Sequence, residues 1–146
     1  MNCGIDPGRF KIGFAAEKDG ALLFSAIIPK SEEEKLAQAI ISCKWELLSP
    51  WLKEGSITAI LGKRAKTVII GDGTSSEEIE KLLGGKVPTQ TADEYGTTLE
   101  GRKLYWYLHP PKGLWKIIPT SLRTPPRDVD DLAAWAIIKN TKQKMS

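Results

Sequence analysis

The chain has 146 residues, 41% of them hydrophobic and 27% charged, with a formal net charge of +3. This is an ordinary globular composition, long enough for one domain, residues 1–146, with a real core. No apolar run approaches the roughly 18 residues that span a bilayer, no basic-then-apolar leader opens the chain, and Cys3 and Cys43 have neither zinc spacing nor a disulfide framework. A cytoplasmic protein is expected, and the mild positive charge is compatible with a polyanionic partner.

Residues 1–6 read as a first strand and Lys11 to Glu17 as a second, joined by the turn Pro7-Gly8. Asp19-Gly20 is a hairpin signal that needs positive φ, and it leads into a third strand over 21–28. Ser31 with Glu34 forms a capping-box pattern, and Leu36, Ile40, Cys43 and Leu47 recur at helical spacing until Pro50 ends or kinks the helix. Val68-Ile69-Ile70 is a continuous apolar run suited to a buried parallel strand. Thr74 with Glu77, or Ser75 with Glu78, opens a short helix that stops near Gly84-Gly85. Residues 86–92 read as a fifth strand, and Thr97 with Glu100 caps a helix running to about Leu108. Residues 109–127 read as a long basic, proline-rich loop, and Asp128 opens a last helix.

This order predicts an α/β fold: a mixed five-stranded sheet, three antiparallel strands and then parallel ones, with helices on both faces. Ligands bind such sheets at the carboxyl ends of the central strands. Asp6 ends strand one, Asp72 ends strand four, Asp93 and Glu94 end strand five, and Asp128, Asp130 and Asp131 open the last helix. These acidic positions can converge on one edge of the sheet. Asp6 beside Gly4 and Gly8 is a candidate magnesium ligand, the alternative being a turn cap. Asp128 also reads as a helix N-cap, Asp130 as a charge favoured by the helix dipole, and Asp93 as an acceptor for a nearby backbone amide.

Gly4-Ile5-Asp6-Pro7-Gly8 with Lys11, Gly13 and Ala15 resembles the opening motif of the YqgF/RuvX family, the Holliday-junction-resolvase-like nucleases related to RuvC. Asp93-Glu94-Tyr95-Gly96-Thr97-Thr98 resembles that family's Asp-Glu-Arg-x-Thr-Thr motif, and Asp131-Leu132-Ala133-Ala134 resembles its C-terminal Asp before an alanine-rich helix. Tyr95 stands where the family usually has arginine, and Gly71-Asp72-Gly73 where it commonly has Gly-Leu-Pro; Asp72 is similar to the acid that RuvC carries there. The resemblance implies a ribonuclease-H-like fold and Mg2+- or Mn2+-dependent cleavage of branched DNA or precursor small-subunit ribosomal RNA, by a monomer or homodimer. It implies a catalytic set of Asp6, Asp72, Glu94 and Asp131, with Asp6 bridging two ions, Asp72 and Asp131 each holding one, and Glu94 completing the shell or orienting water. Asp128 joins the candidate metal ligands through its spacing to Asp131, which is similar to the paired aspartates of RuvC.

Arg9 and Lys11 in the first turn, and Lys112, Trp115, Lys116, Arg123 and Arg127 in the long loop, are the candidate nucleic-acid contacts. Cations interleaved with an aromatic suit a bent or single-stranded polyanion. His109, the one histidine, reads as a loop residue, and Lys63, Arg64 and Lys66 fall at the far end of strand four. Two other functions compete. A non-catalytic nucleic-acid-binding or ribosome-assembly module would keep the fold without turnover. A nucleotide-phosphate enzyme of the actin and sugar-kinase type would share the core but needs a second similar domain.

Overall fold

The computed structural model describes residues 1–119 and 122–145, without the side chain of Trp115. Strand β1 (Asn2–Pro7), β2 (Lys11–Lys18) and β3 (Ala21–Pro29) form an antiparallel meander. Asp19 and Gly20 join β2 to β3 with φ of 52° and 82°, the positive pair expected of a tight hairpin. Strand β5 (Thr67–Gly71) pairs parallel with β1, and β6 (Thr89–Ala92) pairs parallel with β5.

Among the described residues the sheet has six strands, one more than expected. The addition is β4 (Leu52–Gly55), antiparallel to β3 at the edge, which gives the order β4-β3-β2-β1-β5-β6. Leu-Lys-Glu-Gly has no β-branched residue and no alternating pattern, so nothing local announces a strand. Its pairing is imposed from outside: the Glu54 amide donates to Ser25 Oγ at 3.1 Å. Lys53 and Glu54 place charge on this edge, which discourages pairing with other chains.

Helix α1 (Glu33–Ser42) stops earlier than its apolar spacing suggests, because Cys43 turns left-handed with φ of 55°. Leu47 is then carried by a 3-10 helix over Trp45–Trp51. Helix α2 (Ser76–Leu83) ends at a left-handed Gly84 as expected. Neither helix uses a side-chain N-cap hydrogen bond. Helix α3 runs over Thr97–Leu108, and α4 over Asp130–Met145. Asp128 therefore lies outside α4.

The two faces of the sheet are built differently. Cys3, Ile5, Ile12, Phe14, Phe24, Ile28, Val68 and Ile70 point to one face and pack with α1, α2 and the 3-10 helix. Gly4, Gly13 and Ala15 occupy the other, and their smallness lets α4 lie close against β1 and β2. A Cβ on Gly4 would stand 2.3 Å from the Ala134 carbonyl oxygen, and one on Gly13 would stand 1.9 Å from that of Asp130. Helix α3 covers α4 from outside, with Gly101 against the Ala133 backbone. Residues Leu132 to Ile138 are accordingly buried all round the helix. Among the described residues, no helix is long and apolar enough to cross a membrane.

Gly13→Ala should push the first turn of α4 off the sheet. Overpacking against backbone costs about 1–3 kcal/mol or more, so urea unfolding should show a lower midpoint with an unchanged slope. A midpoint equal to wild type would mean that α4 is not seated on Gly13.

Candidate active site

The parallel pairing of β1, β5 and β6 brings their carboxyl ends to one side of the molecule. Asp6 lies near the end of β1, opposite Gly13 of β2. Two residues from Gly4 in the strand, it faces α4 as Gly4 does. Asp130, the first residue of α4, passes directly over Gly13 and so comes alongside Asp6.

Glu94 enters from the turn between β6 and α3. A Cβ on Gly71 would sit 2.8 Å from Glu94 Oε2, and one on Gly73 would sit 2.7 Å from Glu94 Oε1. The two glycines therefore open the path by which Glu94 crosses the end of β5 and comes beside Asp6. Asp72 stands between these glycines, and its Oδ1 accepts the Glu94 amide at 3.2 Å. Thr97 Oγ1 donates to the Glu94 carbonyl at 2.7 Å. Asp93 takes the alternative foreseen for it and accepts the Tyr95 amide at 2.9 Å.

Burial and the adjacent charges of Glu94 and Asp130 push the Asp6 carboxyl up to about 7. Glu94 is also raised, first by burial, then by Asp72 and Asp93 against the lowering effect of its hydrogen bond with Asp6. Among the described residues, Glu94 Oε2 is buried without a hydrogen-bond partner. Two carboxylates in contact, one with an orphaned oxygen, need either a shared proton or a cation.

Asp131, expected among the ligands, does not join this cluster. It is fully buried on the β3 side of α4, where Ser25 Oγ donates to Oδ2 at 2.6 Å. Arg127 donates to Oδ1 at 2.8 Å and to Oδ2 at 3.2 Å. Both oxygens are thus committed to the fold, and Asp130, one residue earlier, faces Asp6 instead. Asp130 precedes the sheet-facing Ala134 by four residues and so shares its face. Asp128 is exposed and pairs with Lys11, which also lies 3.4 Å from Asp130.

The expected nucleic-acid contacts divide. Lys11 is engaged with Asp128 and Asp130. Arg127 is an internal tie: besides Asp131 it donates to Glu54 at 3.0 Å, and its guanidinium lies 5.5 Å from the Tyr105 ring centre. His109 also pairs with Glu54 and packs on Tyr105 at 4.7 Å. Arg123 lies over Trp106, whose Nε1 donates to the Arg123 carbonyl at 3.3 Å. Arg9, Lys112 and Lys116 are exposed, while the Trp115 side chain lies outside the described residues. Lys66 is at the far end of β5, where its amide bonds the Met1 carbonyl at 2.7 Å.

Among the described residues, no group of three or more His, Cys, Asp or Glu side chains is placed so that it could hold a metal ion. Carboxylate oxygen is the donor type that hard divalent cations take. Asp6, Glu94 and Asp130 offer only carboxylate oxygen, and one of those oxygens is buried and unsatisfied.

The sequence matches no family model and no curated protein. Among solved structures, the ROK hexokinase from Thermus thermophilus aligns with 70% of this chain and 37% of its own, at a TM-score of 0.41 and 18% sequence identity. The chain therefore spans little more than a third of that protein.

Proposed function

We propose that the protein is a metal-dependent nuclease of ribonuclease-H-like fold, cleaving phosphodiester bonds in branched DNA or precursor small-subunit ribosomal RNA. The observation that carries this reading is the contact of Asp6 with Glu94 at the strand ends, with a buried Glu94 oxygen left without a partner. The meander of antiparallel strands followed by parallel ones supports the fold half of the reading. Asp6, Glu94 and Asp130 would hold Mg2+ or Mn2+, with Asp72 adding negative charge at the rim. Bound divalent ions supply an activated water and stabilise the leaving oxygen of an in-line displacement.

The chain's own residues prepare that site. Asp6 holds its proton up to about neutral pH, and a bound cation would stabilise its deprotonated form. Asp72 fixes the backbone that carries Glu94. Gly13 lets Asp130 come down beside Asp6. Asp131 and Arg127 hold the first turn of α4 in position.

The test is cleavage of a labelled four-way DNA junction and a labelled ribosomal RNA precursor, with magnesium or manganese, by wild type and two variants. Asp130→Asn should lose about a hundredfold or more in kcat, the effect of removing one carboxylate ligand from the proposed metal site. Asp131→Asn should lose stability while each folded molecule keeps most of its turnover. Loss of turnover in a folded Asp131→Asn, with Asp130→Asn still active, would reverse the two roles. Absence of cleavage of either substrate, with tight binding retained, would point to the non-catalytic module.

A further inference from the structure

A cleft of about 560 Å³ opens beside Asp130, walled by Thr98 and Arg102 of α3 on one side and by the segment 124–130 with Lys11 on the other. Its cations are not equivalent. Lys11 is engaged by Asp128 and Asp130, and Arg127 by Asp131 and Glu54. Arg102 is exposed, and among the described residues it has no ion pair or hydrogen bond. Thr98 and Arg102 are four residues apart and project from the same face of α3. The cleft also lies against the first turn of the 12-residue α3, whose N-terminal dipole favours an anion, whereas the first turn of α4 already carries Asp130 and Asp131. Ala133 lines it where Gly101 brings α3 and α4 into backbone contact, so its two walls are held at a fixed spacing.

The geometry points to this cleft as a nucleic-acid phosphate subsite, with Arg102 as its cation and Thr98 as a hydroxyl donor. It takes a backbone phosphate next to the one that faces the carboxylates. The inference rests on the nuclease reading above and adds a residue that directs the strand across the site. Guanidinium suits this task because it can present two parallel N–H donors to one phosphate.

The experiment measures binding of the four-way DNA junction and of the precursor RNA to wild type, Arg102→Ala, Arg102→Lys and Lys18→Ala. Calcium replaces magnesium to prevent turnover, and salt is varied. Lys18, at the opposite end of β2, is the control. Arg102→Ala should bind about tenfold more weakly, the effect of one charge-assisted hydrogen bond. Its salt slope should fall by about one unit. Arg102→Lys should regain the slope but only part of the affinity, and Lys18→Ala should match wild type. With magnesium, Arg102→Ala should raise KM more than it lowers kcat, which separates strand binding from carboxylate chemistry. If wild type binds and cuts while Arg102→Ala matches it in affinity and slope, the subsite is overturned and the nuclease reading stands. If wild type binds neither nucleic acid, both are overturned.

Discussion

Asp6→Asn should abolish metal-dependent cleavage, by about a thousandfold or more given the transition-state stabilisation a bound metal provides, while the metal-free protein becomes more stable above pH 7. The stability half follows from the raised Asp6 carboxyl, at about 7 in the folded chain against roughly 3.9 when unfolded. Below about pH 4 both states hold the proton and the group contributes nothing. From there to about pH 7 the folded state keeps a proton that the unfolded state has released, so wild-type stability falls as pH rises. Above pH 7 the full penalty of a few kcal/mol is present, and the raised Glu94 acts in the same direction. Asparagine removes the Asp6 share. Urea midpoints of the two proteins should therefore be closest near pH 4 and diverge towards pH 8, with the variant higher. Magnesium should raise wild type at pH 8 and affect the variant less. Parallel pH profiles would mean that Asp6 and Glu94 do not share a proton.

Arg127→Ala should be among the most destabilising single changes. Asp131 is fully buried, and its remaining donor would be the single hydroxyl of Ser25. Removing one partner of a buried ion pair costs about 3–5 kcal/mol. The lower end applies here because the Arg127 side chain is 24% exposed. Glu54 would also lose a cation, loosening β4 from the rest of the site. Arg127→Lys should restore only part of the loss, since one ammonium cannot reproduce the forked contacts to Asp131 and Glu54. Equilibrium urea unfolding checks both, and a loss under about 1 kcal/mol in the alanine variant would contradict the buried tie.

Much of the sheet is legible in the sequence because its signals are local. Val68-Ile69-Ile70 is a parallel strand buried on both faces, and Asp19-Gly20 supplies the hairpin geometry directly. Strand β4 was not legible, since its partners on β3 are almost thirty residues away and its own residues carry no strand pattern. The site divides in the same way. Asp6, Asp72 and Glu94 end successive parallel strands, so topology alone assembles them. Choosing between Asp130 and Asp131 requires the rotation of α4, which is set by backbone contacts at Gly4 and Gly13. The resemblance points to Asp131, the aspartate nearest the alanine run, whereas packing places Asp130 beside Asp6. Arg127 looked like a substrate contact because charge in a loop suggests solvent; its partners Asp131 and Glu54 come from elements distant in sequence. Arg102 does not stand out in the sequence, because nothing within α3 marks which of its faces borders the cleft.

The most direct test of the carboxylate site is Mn2+ binding followed by electron paramagnetic resonance at pH 8, for wild type, Asp6→Asn and Asp130→Asn, with folding checked by circular dichroism. Saturable binding by wild type, weakened about tenfold or more in each folded variant as expected for loss of a charged ligand, is the predicted result. Equal Mn2+ affinity in wild type and Asp6→Asn would contradict a metal site built on Asp6, Glu94 and Asp130.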